Sequence, residues 1–259
     1  MARIAGKSVL VLLAATLVCV SVASATPITF TGSSGNRSAS ATFEQLGTTL
    51  RVMLTNTSLV DVMQPVDVLT AVFFTLAGNP TLTRTSAVLA SGSHVLFGGT
   101  DPGGVVGGEW AYKSGLSGVP LGATTGISSS GLSLFGPSDR FPGTNLQGPA
   151  SPDGLQYGIT SAGDNPLTGN TPVTGTNALI QNAVVFRLGL PDTYTLGGPT
   201  EVSFQYGTAL SDANIPGIYV PPPPSQNPIP EPSTLVLLGS GLVGLGLWVR
   251  RRRVPGDSR

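Results

Sequence analysis

Side chains that could carry out nucleophilic or zinc chemistry are scarce in this chain. It has one histidine, His94, and one cysteine, Cys19. A serine nucleophile needs a base beside it, but Ser93 directly precedes His94, which is not the arrangement of a catalytic triad, and no Gly-x-Ser-x-Gly segment is present. One histidine and one cysteine cannot make the usual zinc ligand sets. We therefore expect no enzymatic activity, and a solvent-facing or turn position for His94.

Carboxylates are the remaining candidates, either for calcium or for glycoside hydrolysis. Calcium takes oxygen ligands, and Asp153 and Asp164 lie in the short segments Asp153-Gly154 and Gly163-Asp164-Asn165. Asp and Asn in such segments commonly form turns, and no Asp-x-Asp-x-Asp-Gly loop is present, so we expect neither a metal nor a cofactor. A glycosidase needs two carboxylates facing each other across a cleft, and the sequence does not show which acids would pair.

Aromatic rings and charge bear on polymer partners. Trp110 and Tyr157 are the candidate glycan contacts, with packing in the core as the alternative. Between Thr26 and Tyr219 there are six basic and eleven acidic residues, a net charge of −5. That balance offers no basic surface for nucleic acid, which we exclude as a partner.

The C-terminal tail contains three different pieces in a fixed order. Pro221–Pro224 opens a proline-rich linker, residues 220–229, which predicts an extended polyproline II spacer. The uncharged run Ser233–Val249 follows; its 17 residues would span about 25 Å as a helix, slightly less than a typical hydrocarbon core. Next comes an arginine cluster, whose cytoplasmic preference would leave everything before Ser233 outside the cytoplasm. The cluster consists of Arg250, Arg251, Arg252 and Arg253.

The tripeptide Pro230-Glu231-Pro232 lies just before the apolar run, and residues 230–254 together resemble the PEP-CTERM sorting signal of bacterial exosortase substrates. The resemblance implies that Pro230, Glu231 and Pro232 form the recognition motif and that Arg250–Arg253 retain the tail. It also implies an exosortase partner, processing near Glu231, and only temporary anchoring in the inner membrane. Residues 255–259 form a short tail beyond the signal.

The N-terminus is a second targeting segment. Arg3 and Lys7 precede the apolar stretch Val9–Val22. Ala23 and Ala25 then form a small-residue cleavage site, which predicts a signal peptide over residues 1–25, exported through the Sec translocon and removed by signal peptidase. Cys19 falls within this segment, so the mature chain uses no disulfide in an oxidising compartment.

Residues 26–219 predict one extracytoplasmic domain that is mostly β. The alternation over Ser38–Glu44 and Leu50–Thr55 predicts a hairpin, and the run Val66–Ala77 predicts a buried strand. Residues 98–175 are punctuated by Gly, Pro, Ser and Asn, which favours long ordered loops over disorder because aromatic residues there can be buried. Together these patterns favour an antiparallel β-sandwich or a jelly-roll-like fold. Other predicted strands are Thr81–Leu89, Glu109–Tyr112, Ala183–Leu190 and Glu201–Tyr206.

Phrases at residues 67–74, 151–158 and 202–207 also resemble the exported regions of some exosortase-dependent surface proteins. The favoured function is a non-enzymatic surface protein, sorted by an exosortase and associated with the exopolysaccharide matrix or cell envelope. The alternatives are a carbohydrate-binding module or adhesin of the biofilm matrix, a secreted hydrolase, and a simple anchored protein that is not processed.

Overall fold

The computed structural model describes residues 26–150 and 152–222, together with the single positions 242 and 245. The chain divides into two compact units, Met1–Tyr219 and Val220–Arg259. Residues 26–222 form strands joined by turns and by five short 3-10 helices, which are Pro65–Asp67, Gly107–Glu109, Pro120–Gly122, Pro137–Asp139 and Pro166–Thr168. The predicted signal helix and almost all of the predicted membrane helix lie outside the described residues.

The fourteen strands, in chain order, are β1 (Ile28–Ser34), β2 (Arg37–Leu46), β3 (Thr49–Asn56), β4 (Leu69–Thr75), β5 (Thr83–Leu89), β6 (His94–Leu96), β7 (Ala111–Ser114), β8 (Thr125–Ser128), β9 (Ile159–Thr160), β10 (Leu179–Gln181), β11 (Ala183–Gly189), β12 (Thr200–Tyr206), β13 (Asn214–Pro216) and β14 (Ile218–Val220). One sheet has the order β14-β1-β2-β3-β11-β5. The other has the order β13-β12-β4-β9-β10-β6, with β8 also pairing with β4 and β7 pairing with β8.

The two sheets pack against each other, which confirms the mostly β prediction. Phe43 of β2 contacts Phe74 of β4 with ring centroids 5.0 Å apart, so the core lies between the sheets. The strands were expected to pair in antiparallel fashion throughout, but β9 and β10 run parallel. The two sheets have six and eight strands, whereas a jelly roll has eight strands in total.

The predicted hairpin is confirmed as β2 and β3, which pair in register from Ala39 opposite Asn56 to Leu46 opposite Thr49. Gly47 begins the connection with φ +60°, a left-handed conformation that glycine adopts without steric cost. Alternate residues are buried along both strands because one face covers the core and the other faces outward.

Strand β4 confirms the predicted buried strand with narrower bounds. Pro65 starts a 3-10 turn through Asp67 instead of extending the strand, and the backbone turns away again where the amide of Asn79 donates to the carbonyl of Leu76. Residues Leu69–Phe74 are all buried, because further chain covers the second face of this sheet. That outer cover forms a smaller apolar cluster around Phe73 and Phe135.

Strand β12 is buried on both faces from Val202 onward, although polar and apolar residues alternate along it. Ser203 and Gln205, on the polar side of this alternation, are fully buried. The amide of Gln205 donates to the carbonyls of Tyr206 (3.0 Å) and Ala209 (2.9 Å), so burial does not leave its NH₂ group unpaired.

Residues 98–175 form ordered loops with short strands, as predicted, and five aromatic rings in this region are buried. Gly107 and Gly108 let two chain segments approach closely. A Cβ atom on Gly108 would lie 1.8 Å from the carbonyl oxygen of Thr144, which only a glycine avoids. The buried aromatic residues are Trp110, Tyr112, Phe135, Phe141 and Tyr157.

Candidate functional site

The sorting residues lie outside the described part of the chain. This applies to Pro230, Glu231, Pro232, Arg250–Arg253 and the cleavage-site residues Ala23 and Ala25. Within the predicted membrane run, only Leu242 and Leu245 are described, and both are helical. A search of the described residues finds no helix that is both long enough and apolar enough to span a membrane.

The two candidate glycan contacts are core residues. Trp110 is fully buried and packs on Phe186 with ring centroids 5.0 Å apart. Tyr157 is 1% exposed, and its hydroxyl donates to the carbonyl of Gly99 at 2.9 Å. Neither ring has a face exposed to solvent. The structure therefore agrees with core packing, which was the alternative to a glycan contact for both residues.

His94 begins the short strand β6 and is exposed, which confirms its predicted solvent-facing position. Its backbone pairs with Gln181 of β10, but its side chain has no hydrogen bond or ion pair with any residue that the structure describes, whereas a catalytic histidine would be oriented by such a partner.

Asp164 lies beside Asp61, and Asp153 is exposed on a different loop. The carboxylate of Asp164 accepts the amide of Val62 (3.0 Å), and that of Asp61 accepts the amide of Asn165 (2.9 Å). Burial raises the pKa of Asp164, and the bond from Asn165 lowers the pKa of Asp61. The two acids therefore tie two loops together, and no group of three or more potential metal ligands occurs among the described residues.

Glu109 is a buried carboxyl group that sequence reasoning did not single out. It ends the 3-10 helix Gly107–Glu109, and its Oε1 accepts the amides of Leu146 (2.5 Å) and Gln147 (3.0 Å). With the amide of Asn145 turned so that its nitrogen faces the carboxyl, Nδ2 also donates to Oε1 at 3.1 Å. The only sequence signal was an acid between two buried segments, in Gly-Gly-Glu-Trp.

Burial raises the pKa of Glu109, while the two amides and the charge of Arg140 act in the opposite direction. The folded protein thus holds this proton more tightly than the unfolded chain does. The stability contributed by the protonated form is complete below the ordinary pKa and is lost as pH rises from 4.5 through the raised value.

Glu109→Gln is expected to keep the three hydrogen bonds to Oε1 and remove this titration. Relative to the wild type, the free energy of unfolding of this variant should increase as the pH is raised from 4 to 7, because only the wild type loses stability over that range; urea denaturation at each pH measures it. Glu109→Ala should lose about 2 kcal/mol or more, because buried amides are left unpaired. A stability difference between Glu109→Gln and the wild type that does not change with pH would contradict the assignment.

An open groove lies where the start of β5 meets the segment Pro137–Gly143. Its volume is about 510 Å³, within the usual range for ligand sites. Two guanidinium groups, those of Arg84 and Arg140, belong to its lining. No local sequence pattern predicts this groove, because its two arginines are 56 positions apart.

Comparison with known families identifies one segment of the chain. Residues 228–253 match the PEP-CTERM protein-sorting motif, which confirms the resemblance drawn from the tail. The motif implies an exported protein that is associated with the cell envelope, sorted by an exosortase and processed by it. No curated protein and no solved structure matches the chain.

Proposed function

We propose that the chain is a non-enzymatic surface or matrix protein. In this proposal the tail holds residues 26–219 at the inner membrane after export, and an exosortase then releases them to the cell surface or the exopolysaccharide matrix. The observation that carries the proposal is the sorting motif at residues 228–253, which contains both the Pro-Glu-Pro tripeptide and the arginine cluster.

The arrangement of acids in the β-domain supports a structural role. Glu109, Asp61 and Asp164 each accept backbone amides and hold loops in place. Carboxyl groups engaged in this way are not free to act as a general acid and base pair across a cleft.

The outward face of the first sheet supports a solvent-exposed, secreted domain. Thr31, Ser40 and Thr55 lie side by side on strands β1, β2 and β3, and Thr29 bonds to Thr42 through their hydroxyl groups at 3.0 Å. Hydroxyl groups of this kind are readily hydrated, so this face needs no covering layer.

The test is the intact mass of the protein recovered from native cells, with and without their exosortase. With the enzyme, the mass should correspond to loss of residues 1–25 and of the apolar helix, and the protein should fractionate away from the inner membrane. Without the enzyme, the C-terminal helix should remain. An intact tail in the inner membrane of exosortase-positive cells would disprove the proposal and favour a permanent anchor.

A second function, binding of matrix carbohydrate, is favoured by the groove beside Arg84 and Arg140. The buried positions of Trp110 and Tyr157 give it no support, so any sugar contact must be sought at that groove.

A further inference from the structure

The groove beside β5 gathers much of the positive charge of the β-domain. Of the six basic residues between Thr26 and Tyr219, three lie at or next to it: Arg84, Lys113 and Arg140. One half-buried carboxylate, that of Asp139, lies among them. This cluster is therefore locally positive on a domain whose net charge is −5.

The backbone around Arg140 is fixed in place. Arg140 pairs with Ala111 in an isolated β-bridge, and the next amide, that of Phe141, donates to the carbonyl of Trp110 at 2.8 Å. Its guanidinium donates through Nη1 to the carbonyl of Gly108 (2.9 Å) and through Nε to that of Pro137 (3.4 Å). These bonds orient the guanidinium and leave Nη2 without a partner among the described residues.

The guanidinium of Arg84 is only loosely satisfied. Nη1 donates to the carbonyl of Tyr112 at 3.4 Å and lies 3.9 Å from the carboxylate of Asp139, too far for a hydrogen bond. The Nζ atom of Lys113 lies 3.7 Å from Oδ2 of the same carboxylate, and this oxygen accepts the amide of Gly136 at 2.9 Å. A ligand carboxylate could therefore gain charge-assisted hydrogen bonds that Asp139 does not supply.

The other acid near Arg140 does not present its carboxylate to the groove. Glu109 is buried, and its Oε1 accepts the amides of Leu146 and Gln147. Among the described side chains, Asp139 is thus the acid paired with this cluster at the surface.

We propose that this groove binds a carboxylate carried on a sugar ring, such as a uronate residue of an acidic polysaccharide. The inference rests on the proposed function, in which the released domain resides in a polysaccharide matrix, and it names the ligand class and the site. Guanidinium groups match carboxylates in a planar, two-bond geometry. Thr83, Pro142 and Gly143 also line the groove, beside the two guanidinium groups.

The alternatives fit the groove less well. A peptide adding to the edge of β5 would find much of that edge occupied, because Leu89 and Ala87 already bond to Gly104 and Val106. Nucleic acid needs an extended basic surface, whereas here the cations form one small cluster on an acidic domain.

The test measures binding of a short oligogalacturonate to the full chain in mild detergent, by titration calorimetry. Arg84→Gln is expected to weaken binding about tenfold, the effect of losing one charge-assisted hydrogen bond. Asp139→Asn should strengthen binding, because it removes the acid that competes for Arg84. Arg187→Gln is the charge-matched control, since Arg187 is exposed on β11 and is not among the residues lining the groove, so its loss should leave binding unchanged.

Three results would overturn the proposal: unchanged affinity in Arg84→Gln, an equal loss in Arg187→Gln, or equal binding of the carboxyl-reduced, neutral oligosaccharide. Equal or tighter binding of an oligoglutamate peptide would show that the groove recognises carboxylates without requiring a sugar ring. Export and tail removal in Arg84→Gln, followed by intact mass, should be normal, so failure of this site is distinguishable from failure of the proposed sorting.

Discussion

Glu231→Ala is expected to slow removal of the C-terminal tail, so that more of the exported protein keeps its apolar run and arginine cluster. Pro230 and Pro232 have no backbone N–H and fix their own φ angles, and Pro232 also biases Glu231 towards an extended conformation. The carboxylate of Glu231 is therefore the charged group that this tripeptide offers to an enzyme. Losing a charge-assisted contact should slow processing about tenfold or more.

The measurement is a pulse-chase of tail removal in exosortase-positive cells, with intact mass at the end point. Glu231→Gln separates charge from shape and should also be slow, because the amide lacks the negative charge. Asp257→Ala changes an acid beyond the arginine cluster and should be processed normally. Wild-type rates in both Glu231 variants would show that the exosortase does not depend on this carboxylate.

Trp110→Ala is expected to cost about 3–5 kcal/mol of stability, the usual range for removing a buried aromatic side chain. The ring is fully buried and contacts Phe186, which in turn contacts Phe141 at 5.4 Å. A domain of ordinary stability, about 5–15 kcal/mol, would lose much of its margin. Equilibrium urea denaturation of the full chain measures the change.

Two variants make this test specific. Trp110→Phe should cost much less, because it keeps an aromatic ring and removes a buried indole N–H that has no partner among the described residues. His94→Ala changes an exposed side chain and should stay within about 0.5 kcal/mol of wild type. If Trp110→Ala were as stable as His94→Ala, the ring could not lie in the core.

This prediction also changes how sugar binding should be studied. A loss of glycan binding in Trp110→Ala or Tyr157→Ala would reflect damage to the core, since both rings are buried. Arg84→Gln is the informative substitution because the Arg84 side chain is 34% exposed and makes only long contacts.

Local patterns in the sequence were enough to predict the principal strands. Alternation over residues 38–55 predicted the β2–β3 hairpin because one face of that sheet remains solvated. Strand β12 is different, because its polar face is buried under chain that lies far away in sequence, and alternation does not indicate such a cover. The strands β6, β9, β10 and β13 have two or three residues each, too few for any periodicity to appear.

The sequence by itself determined how the protein is sorted. The sorting motif is one continuous segment, so the order and types of its residues can be recognised without knowing the fold. The chemistry of the β-domain depended on tertiary structure. Arg84 and Arg140 meet only because β5 packs beside the segment that follows Phe135, and Glu109 is buried only because residues 145–147 close over it. The burial of Glu109 and the clustering of the two arginines both arise from contacts between distant segments. No local pattern in the chain encodes those contacts.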